Sequence, residues 1–154
     1  MDSLKLIDEY IDIYLPDCKF YSSALSKRYL GKEDYFDVAE EALLFMAQKP
    51  LKMTAEGKML SGFILRHLVM PLCVSDSKAI LRWFASHIGN KGYLSLMSQY
   101  TPFGKIENFP ELARGITARE YDTVLSYASE LGIQNLFAQE RNSKGEKYIP
   151  SWDY

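Results

Sequence analysis

One stretch of the sequence decides the fold: Gly62-Phe-Ile-Leu-Arg-His-Leu-Val-Met-Pro71, an apolar run that a single Arg66-His67 pair interrupts. Its length, the glycine at its start and the proline at its end predict a buried central strand. A nearly continuous apolar run is typical of strands in parallel sheets, which are covered on both faces. We therefore expect an α/β protein built around this strand.

The charged residue in this strand needs a partner. Side chains alternate across a strand, so Arg66 shares a face with Ile64 and Leu68, whereas His67 lies on the other face. The pattern predicts that Arg66 points into the protein and not into bulk water. A charge placed there must be paired, and the planar guanidinium suits a carboxylate or a phosphate. The partner is either an internal carboxylate or a ligand, and both alternatives stay open here.

Composition limits the class of protein. The chain has 154 residues and a net charge of -2, with 47% hydrophobic and 25% charged residues. These values predict one domain and give no basis for a nucleic-acid or membrane partner. No apolar run approaches the length of a membrane span and the N-terminus is charged, so we expect a cytoplasmic location. Cys18 and Cys73 lie far apart in the chain and are expected to be buried free thiols that bind no metal.

The other periodic segments predict alternating helices and strands. Helices are expected at 3–9, 22–29, 37–49, 77–88 with Ser75 or Asp76 as N-cap, and 117–131 with the capping box Thr117-Ala-Arg-Glu120. Strands are expected at 11–16, 62–71, 93–101 and 134–139, with loops at 50–61 and 102–116 and a partly packed aromatic tail at 148–154. Right-handed crossovers between these strands would give a parallel sheet of about four strands with covering helices.

Polar residues lie at the C-terminal ends of three predicted strands. They are Asp17 and Lys19 after the first strand, Arg66 in the central strand, and Gln99 and Thr101 in the third. Parallel strands present their carboxyl ends at one edge of a sheet, where α/β proteins assemble ligand contacts. We therefore expect these side chains to form one site, in which charges without a ligand pair with one another. For Asp17 and Lys19 alone, a solvated turn is the alternative.

Four segments, taken in order and spacing, resemble a known family. The segments are Asp12-Ile-Tyr-Leu-Pro-Asp-Cys-Lys-Phe20, Leu65-Arg-His-Leu-Val-Met-Pro71, Ser95-Leu-Met-Ser-Gln-Tyr-Thr-Pro102 and Phe109-Pro-Glu-Leu-Ala-Arg-Gly-Ile-Thr-Ala-Arg-Glu-Tyr121. They are similar to the C-terminal half of radical S-adenosylmethionine proteins of the pyruvate formate-lyase activating enzyme type. The resemblance covers nearly the whole chain and implies a partial (β/α) barrel.

This resemblance also implies an activity. In that family a four-iron four-sulfur cluster, held by a Cys-x-x-x-Cys-x-x-Cys loop, reduces S-adenosylmethionine to a 5′-deoxyadenosyl radical. The radical takes a hydrogen atom from a substrate, which is a glycyl radical enzyme in the best-known members. The resemblance implies that Asp17 and Lys19 match an Asp-x-Lys pair at the adenosylmethionine and peptide site, and that Arg66 matches an arginine that contacts the cofactor. Thr101 lies near a position where the activating enzymes carry a histidine, and the strand-end argument adds Gln99 to the expected cofactor-binding residues.

The cluster-binding motif and the first strands of the barrel are not in this sequence. We therefore expect residues 1–154 to be the C-terminal portion of a larger enzyme, with no catalytic residue, cluster or S-adenosylmethionine bound to this chain alone. One alternative is a standalone remnant that acts as a non-catalytic binding module. A cluster-free hydrolase or isomerase is a third. The expected partners are the missing N-terminal half of the barrel, a glycyl radical enzyme, and a second copy that covers the open edge of the first strand.

Overall fold

The structure, a computed structural model of the 154-residue chain, describes residues 1–104 and 106–138. Within these residues the helices are α1 (Asp2–Ile7), α2 (Ser23–Leu30), α3 (Tyr35–Met46), α4 (Val74–His87) and α5 (Ala118–Glu130). The strands are β1 (Ile13–Tyr14), β2 (Lys52–Met53), β3 (Met59–Leu68), β4 (Tyr93–Met97) and β5 (Leu136–Ala138). Short 3₁₀ turns lie at Asp8–Tyr10, Gly89–Lys91, Ile106–Asn108 and Pro110–Leu112.

The sheet confirms the predicted α/β fold. Its order is β1-β3-β4-β5, with every neighbouring pair parallel, and β2 pairs antiparallel with the beginning of β3. The four parallel strands are therefore neighbours in the order in which the chain makes them, as in a (β/α) barrel. β2 was not predicted, because two residues inside a polar loop show no measurable alternation.

One face of β3 forms the centre of the core. Phe63, Leu65 and His67 are almost completely buried, and Val69, just beyond the strand, continues the same row. Helices α4 and α5 cover this row with apolar side chains. Those side chains include Ile80, Leu81, Phe84, Tyr121, Val124 and Ala128. The helix-facing side of the sheet thus carries the hydrophobic stabilisation of the fold.

The opposite face of β3 corrects the expectation that this strand is covered on both faces. Ile64 and Leu68 are only partly buried, and the side chain of Arg66 is 44% exposed. We call this side of the sheet the open face, and it carries Leu15, Asp17, Ile64, Arg66, Tyr93, Ser95 and Phe137. An apolar residue that is half-buried beside its strand neighbours looks the same in sequence as a fully buried one, so the pattern overstated the burial of this face.

Several element boundaries also differ from the sequence predictions. Helix α4 begins at Val74 with Cys73 as its N-cap residue, so neither Ser75 nor Asp76 caps it. Strand β4 ends at Met97 and does not reach Thr101. The last predicted strand is present as Leu136–Ala138, whereas residue 139 and the aromatic tail at 148–154 lie outside the described residues.

The capping box at the start of α5 is present as predicted. The Thr117 side chain accepts a hydrogen bond from the Glu120 backbone N–H, and the Glu120 carboxylate accepts one from the Thr117 N–H. Both guanidinium Nη atoms of Arg114 donate to the same carboxylate at 2.8 Å, as does the N–H of Leu72. These bonds hold the pKa of Glu120 well below its usual range. They also tie the loop after β3 to the start of α5.

Gly92, just before β4, is a position where the strands approach closely. A Cβ atom at Gly92 would lie 2.9 Å from Phe63 Cδ1, 3.0 Å from the Phe63 carbonyl oxygen and 3.2 Å from Ile88 Cγ2. The carbonyl oxygen belongs to the central strand and cannot move without disturbing the ladder. The φ angle of Gly92 is extended, so the requirement for glycine is one of space and not of backbone conformation.

We therefore predict that Gly92→Ala lowers the free energy of unfolding by about 1 to 3 kcal/mol, the usual cost of overpacking a core. Gly115→Ala is the matched control, because a Cβ atom there would meet only the Tyr100 carbonyl oxygen at 3.7 Å. Urea unfolding of the two variants and the parent chain measures the difference. Equal stability of the two variants would contradict the close approach of β4 to β3.

Candidate functional site

The segment that follows β1 continues alongside β3 and brings charged residues to the open face. The Arg66 N–H donates to the Pro16 carbonyl at 2.9 Å, and the Cys18 N–H donates to the Arg66 carbonyl at 2.9 Å. Asp17 is therefore directly opposite Arg66 in a parallel bridge. Since residues directly opposite one another share a face, their side chains meet on the open face.

Asp17, Lys19 and Arg66 form one charged cluster. Arg66 Nε lies 2.8 Å from Asp17 Oδ1, and Lys19 Nζ lies 3.4 Å from Asp17 Oδ2. The two cations share one carboxylate. Two positive groups and one negative group give the cluster a net charge of +1. Of the two partners that the sequence allowed for Arg66, the structure contains the internal carboxylate. All three side chains are between about a third and a half exposed, which makes each ion pair weak.

Apolar and aromatic side chains border this cluster. By strand register, Arg66 lies level with Ser95 on β4, and Ser95 lies level with Phe137 on β5. The rings of Tyr93 and Phe137 stack with centroids 4.9 Å apart and planes 15° apart. Phe137 is 49% exposed and Leu15 52% exposed. The open face therefore combines a charged cluster with exposed apolar side chains.

The structure does not bring Gln99 and Thr101 into the cluster. Both residues are exposed and follow the end of β4. Ser95 is level with Arg66, whereas Gln99 lies two residues beyond the end of β4 and has no register partner on β3. In the described residues no hydrogen bond joins either side chain to Asp17, Lys19 or Arg66. The parity argument assumed that β4 continues to Thr101, whereas the strand ends at Met97, so a role of Gln99 and Thr101 in cofactor binding stays a prediction.

Tyr35, at the start of α3, is a member of the site that the sequence argument missed. The Lys19 N–H donates to the Tyr35 hydroxyl at 3.0 Å, and this hydroxyl is 3.3 Å from the Asp17 carbonyl oxygen, to which it donates. Burial raises the pKa of Tyr35, which keeps the hydroxyl protonated and able to donate. No sequence pattern marks this contact, because it depends on how α3 packs against an irregular segment.

Asp76 is a second residue whose role differs from the prediction. Its carboxylate is buried within the first turn of α4 and accepts the Tyr21 N–H at 3.0 Å and the Ser22 N–H at 2.7 Å. The expected N-cap residue thus binds the backbone of a distant segment. An aspartate near a helix start fits both roles, so the sequence alone could not separate them.

His67 occupies the helix-facing side of β3, directly behind the cluster. Its Nδ1 lies 2.8 Å from the Cys18 carbonyl oxygen and its Nε2 lies 2.9 Å from Ser77 Oγ. A carbonyl oxygen only accepts, so Nδ1 carries the proton and the neutral ring accepts the Ser77 hydroxyl at Nε2. Burial lowers the pKa of His67 from its usual 6.5.

The pKa of His67 predicts a pH dependence of stability. Because the folded state holds the ring neutral, the unfolded state binds more protons below pH 6.5, and stability is complete above this pH. The free energy of unfolding should fall as the pH drops from 6.5 toward the lower folded-state pKa, with a slope of at most about 1.4 kcal/mol per pH unit.

The measurement is chemical unfolding between pH 7.5 and 5.5, a range above most carboxylate titration. His67→Asn should flatten the slope. His87→Asn should retain it, because His87 is an exposed residue whose Nδ1 donates to the Trp83 carbonyl. These are the two histidines of the chain. The same slope in the parent and in His67→Asn would show that the buried His67 ring is not the source of the pH dependence.

The cysteines are unsuited to binding a metal or attacking a substrate. Cys18 and Cys73 are buried free thiols, and burial raises their pKa to about 12 and about 11 respectively. In residues 1–104 and 106–138 no group of three or more His, Cys, Asp or Glu side chains is arranged to hold a metal ion. Over the same residues, no helix has the length and apolar composition required to cross a membrane.

A cavity of about 630 Å³ lies away from the charged cluster, between the ends of α3 and α4. Its walls include Lys49, His87 and Lys91 beside apolar residues such as Leu44 and Ile88. Lys49 is engaged by Asp8, whose carbonyl oxygen and Oδ1 accept from Lys49 Nζ at 2.6 and 3.1 Å. The cavity shares no lining residue with the Asp17, Lys19 and Arg66 side chains, so it is not part of the candidate site.

Together the fold and the site define an α/β protein. Helices pack against one face of its parallel sheet, and the other face bears the Asp17–Lys19–Arg66 cluster.

Comparison with known proteins adds one distant relative. The chain is 23% identical, over 137 residues, to an uncharacterized protein of Methanocaldococcus jannaschii, and the match covers 89% of this chain and 37% of the relative. The chain thus spans little more than a third of that relative's length. No family model matches the chain. No solved structure matches it at a significant level.

Proposed function

We propose that this chain is the C-terminal part of a radical S-adenosylmethionine protein of the activating-enzyme type. The parent protein would cleave S-adenosylmethionine reductively and abstract a hydrogen atom from a glycyl radical enzyme or another substrate. The isolated chain would be inactive. The observation that carries the proposal is the open face, where parallel strands in chain order present Asp17, Lys19 and Arg66 toward the space that further strands would enclose.

The chemistry of the cluster supports S-adenosylmethionine as the ligand. This molecule carries a carboxylate and an ammonium group, and the cluster offers Arg66 and Lys19 for the first and Asp17 for the second. Exposed ion pairs contribute about 0 to 1 kcal/mol each, so a ligand can replace them at small cost. The position of Arg66 in the sheet also agrees with the cofactor contact that the sequence resemblance implies.

The proposed four-iron four-sulfur cluster does not fit this chain's own thiols. Cys18 and Cys73 are buried in the core and hold their protons, whereas cluster ligands are grouped thiolates. A Cys-x-x-x-Cys-x-x-Cys segment outside the present sequence would have to hold it. Such a cluster would supply reducing chemistry when bound, and Asp17, Lys19 and Arg66 would bind and orient S-adenosylmethionine.

The free edge of β1 is where the missing N-terminal half of the barrel would pair. In the described residues β1 pairs with β3 alone, and its ladder uses Asp12, Pro16 and Cys18. The backbone groups of the alternating residues Ile13 and Leu15 point to the other side, where the N-terminal half of the barrel would add a strand. A cytoplasmic location agrees with two cysteines that remain free thiols.

One observation favours a second candidate, a non-catalytic binding module. Asp17 already compensates the charge of Arg66, so the cluster is stable without a cofactor. In that case the edge of β1 would be covered by a second copy, as a symmetric dimer. The reading frame upstream of this chain separates the candidates, because only the first requires a Cys-x-x-x-Cys-x-x-Cys segment there.

We predict that the chain alone binds no iron. Anaerobic reconstitution with iron and sulfide, followed by analysis of both elements, should give no stoichiometric incorporation, because no group of thiolates is available. Incorporation of four iron and four sulfide ions per chain would refute the prediction.

Light scattering on the same sample reports whether a second copy covers the exposed edge of β1.

The test of the proposed function uses the product of the whole reading frame that contains this chain. Arg66→Ala should lower the rate of 5′-deoxyadenosine formation by at least about tenfold, the effect of losing one charge-assisted contact of about 1.4 kcal/mol. The electron paramagnetic resonance signal of the reduced cluster should remain. Arg119→Ala, at an exposed position of α5, is the control and should leave the rate unchanged. A reading frame without the cysteine segment, or full activity of Arg66→Ala, would reject the proposal.

A further inference from the structure

The segment that carries Asp17 and Lys19 is irregular, and side chains of other elements bind several of its backbone groups. It runs from the end of β1 to the start of α2. Among the described residues it has no strand partner beyond Cys18, and three side chains from other elements bind its backbone. These side chains are His67 of β3, Asp76 of α4 and Tyr35 of α3. Side chains therefore hold part of this backbone where a regular strand would be held by a ladder.

Two of these side chains form a buried polar layer directly behind the open face. His67 and Asp76 are 2% and 6% exposed, and Ser77 beside them is 1% exposed. In the described residues no buried side-chain nitrogen or oxygen atom is without a hydrogen-bond partner. Buried polar groups that are completely satisfied specify one arrangement, because any shift would leave a donor or acceptor unpaired.

From this geometry we infer that His67 and Asp76 are positioning residues for the Asp17–Lys19–Arg66 cluster. His67 fixes the Cys18 carbonyl, and Asp76 fixes the backbone at Tyr21 and Ser22. Together these hydrogen bonds fix a backbone whose side chains alternate between the two faces. Cys18 and Phe20 are buried, and Asp17 and Lys19 lie on the open face. The consequence for ligand binding rests on the proposed function, but the positioning itself does not.

A residue that only fills the core would destabilise all parts of the fold equally. Positioning predicts a selective effect, which amide hydrogen exchange measured by NMR can resolve. His67→Leu removes the buried hydrogen bond to the Cys18 carbonyl, which belongs to the same peptide unit as the Lys19 N–H. The Cys18 and Lys19 amides should therefore exchange about tenfold faster than in the parent, relative to the core amide of Val124. The Arg66 Nε–H resonance should lose its protection in parallel.

The conservative variant provides the rescue. In His67→Asn the side-chain amide can donate to the Cys18 carbonyl as Nδ1 does, so protection of Cys18 and Arg66 Nε–H should return. In Asp76→Asn only one oxygen remains to accept, and the loss should be confined to Tyr21 and Ser22. His87→Asn and Ser75→Ala, at exposed positions of the same helix, are controls that should change none of these signals.

The outcomes separate the inference from the proposed function. A uniform rise in exchange at Cys18, Lys19 and Val124, with Arg66 Nε–H unchanged, would overturn the positioning role, as would failure of His67→Asn to restore protection. If His67→Leu does not fold, His67→Asn and Asp76→Asn still decide the question. Selective loss in these variants, without any change in 5′-deoxyadenosine formation by the whole protein, would support positioning and reject the proposed function.

Discussion

The backbone pairing between Arg66 and the segment Pro16–Cys18 is the contact on which the site depends. It extends the short β1 ladder beyond its last regular residue and sets Asp17 level with Arg66. Because the side chains of a parallel pair share a face, this register determines that the carboxylate and the guanidinium meet. A shift by one residue would bury Asp17 and expose Cys18, at the cost of an unpaired charge in the core. The core therefore enforces the arrangement of the exposed cluster.

The two faces of β3 differ in burial and in what they contribute to the structure. The helix-facing residues supply burial, with Phe63 and Leu65 completely enclosed. The open face supplies less hydrophobic stabilisation, since Arg66 and Leu15 are about half exposed. A substitution on the open face should thus alter binding more than folding. The buried layer of His67 and Asp76 links the faces, because it acts from the core on the backbone that carries the exposed charges.

The sequence predicted those features that local patterns encode. The capping box of Thr117 and Glu120, the parallel order of strands and the parity of Asp17 with Arg66 all follow from spacing within a few residues, and the structure contains them. The same logic could not reach contacts set by packing. Tyr35 and Asp76 bind backbone groups 16 and 54 or more positions away, and nothing in their neighbourhood distinguishes them from surface residues. The end of β4 at Met97, two residues before Gln99, was likewise not predictable, since alternation indicates the face of a strand and not where the strand ends.

The internal pairing of Asp17 with Arg66 bears directly on whether the open face can bind a ligand. A buried, fully satisfied ion pair would resist exchange, because breaking it would leave a desolvated charge. This pair lies at the surface, with the guanidinium 44% and the carboxylate 35% exposed, so water can solvate both groups as they separate. The cluster is thus compensated without a ligand and still exchangeable for one. His67 and Asp76 bind its backbone from behind at Cys18, Tyr21 and Ser22, and with these bonds kept a ligand would displace side chains without having to order the segment, which reduces the entropic cost of binding.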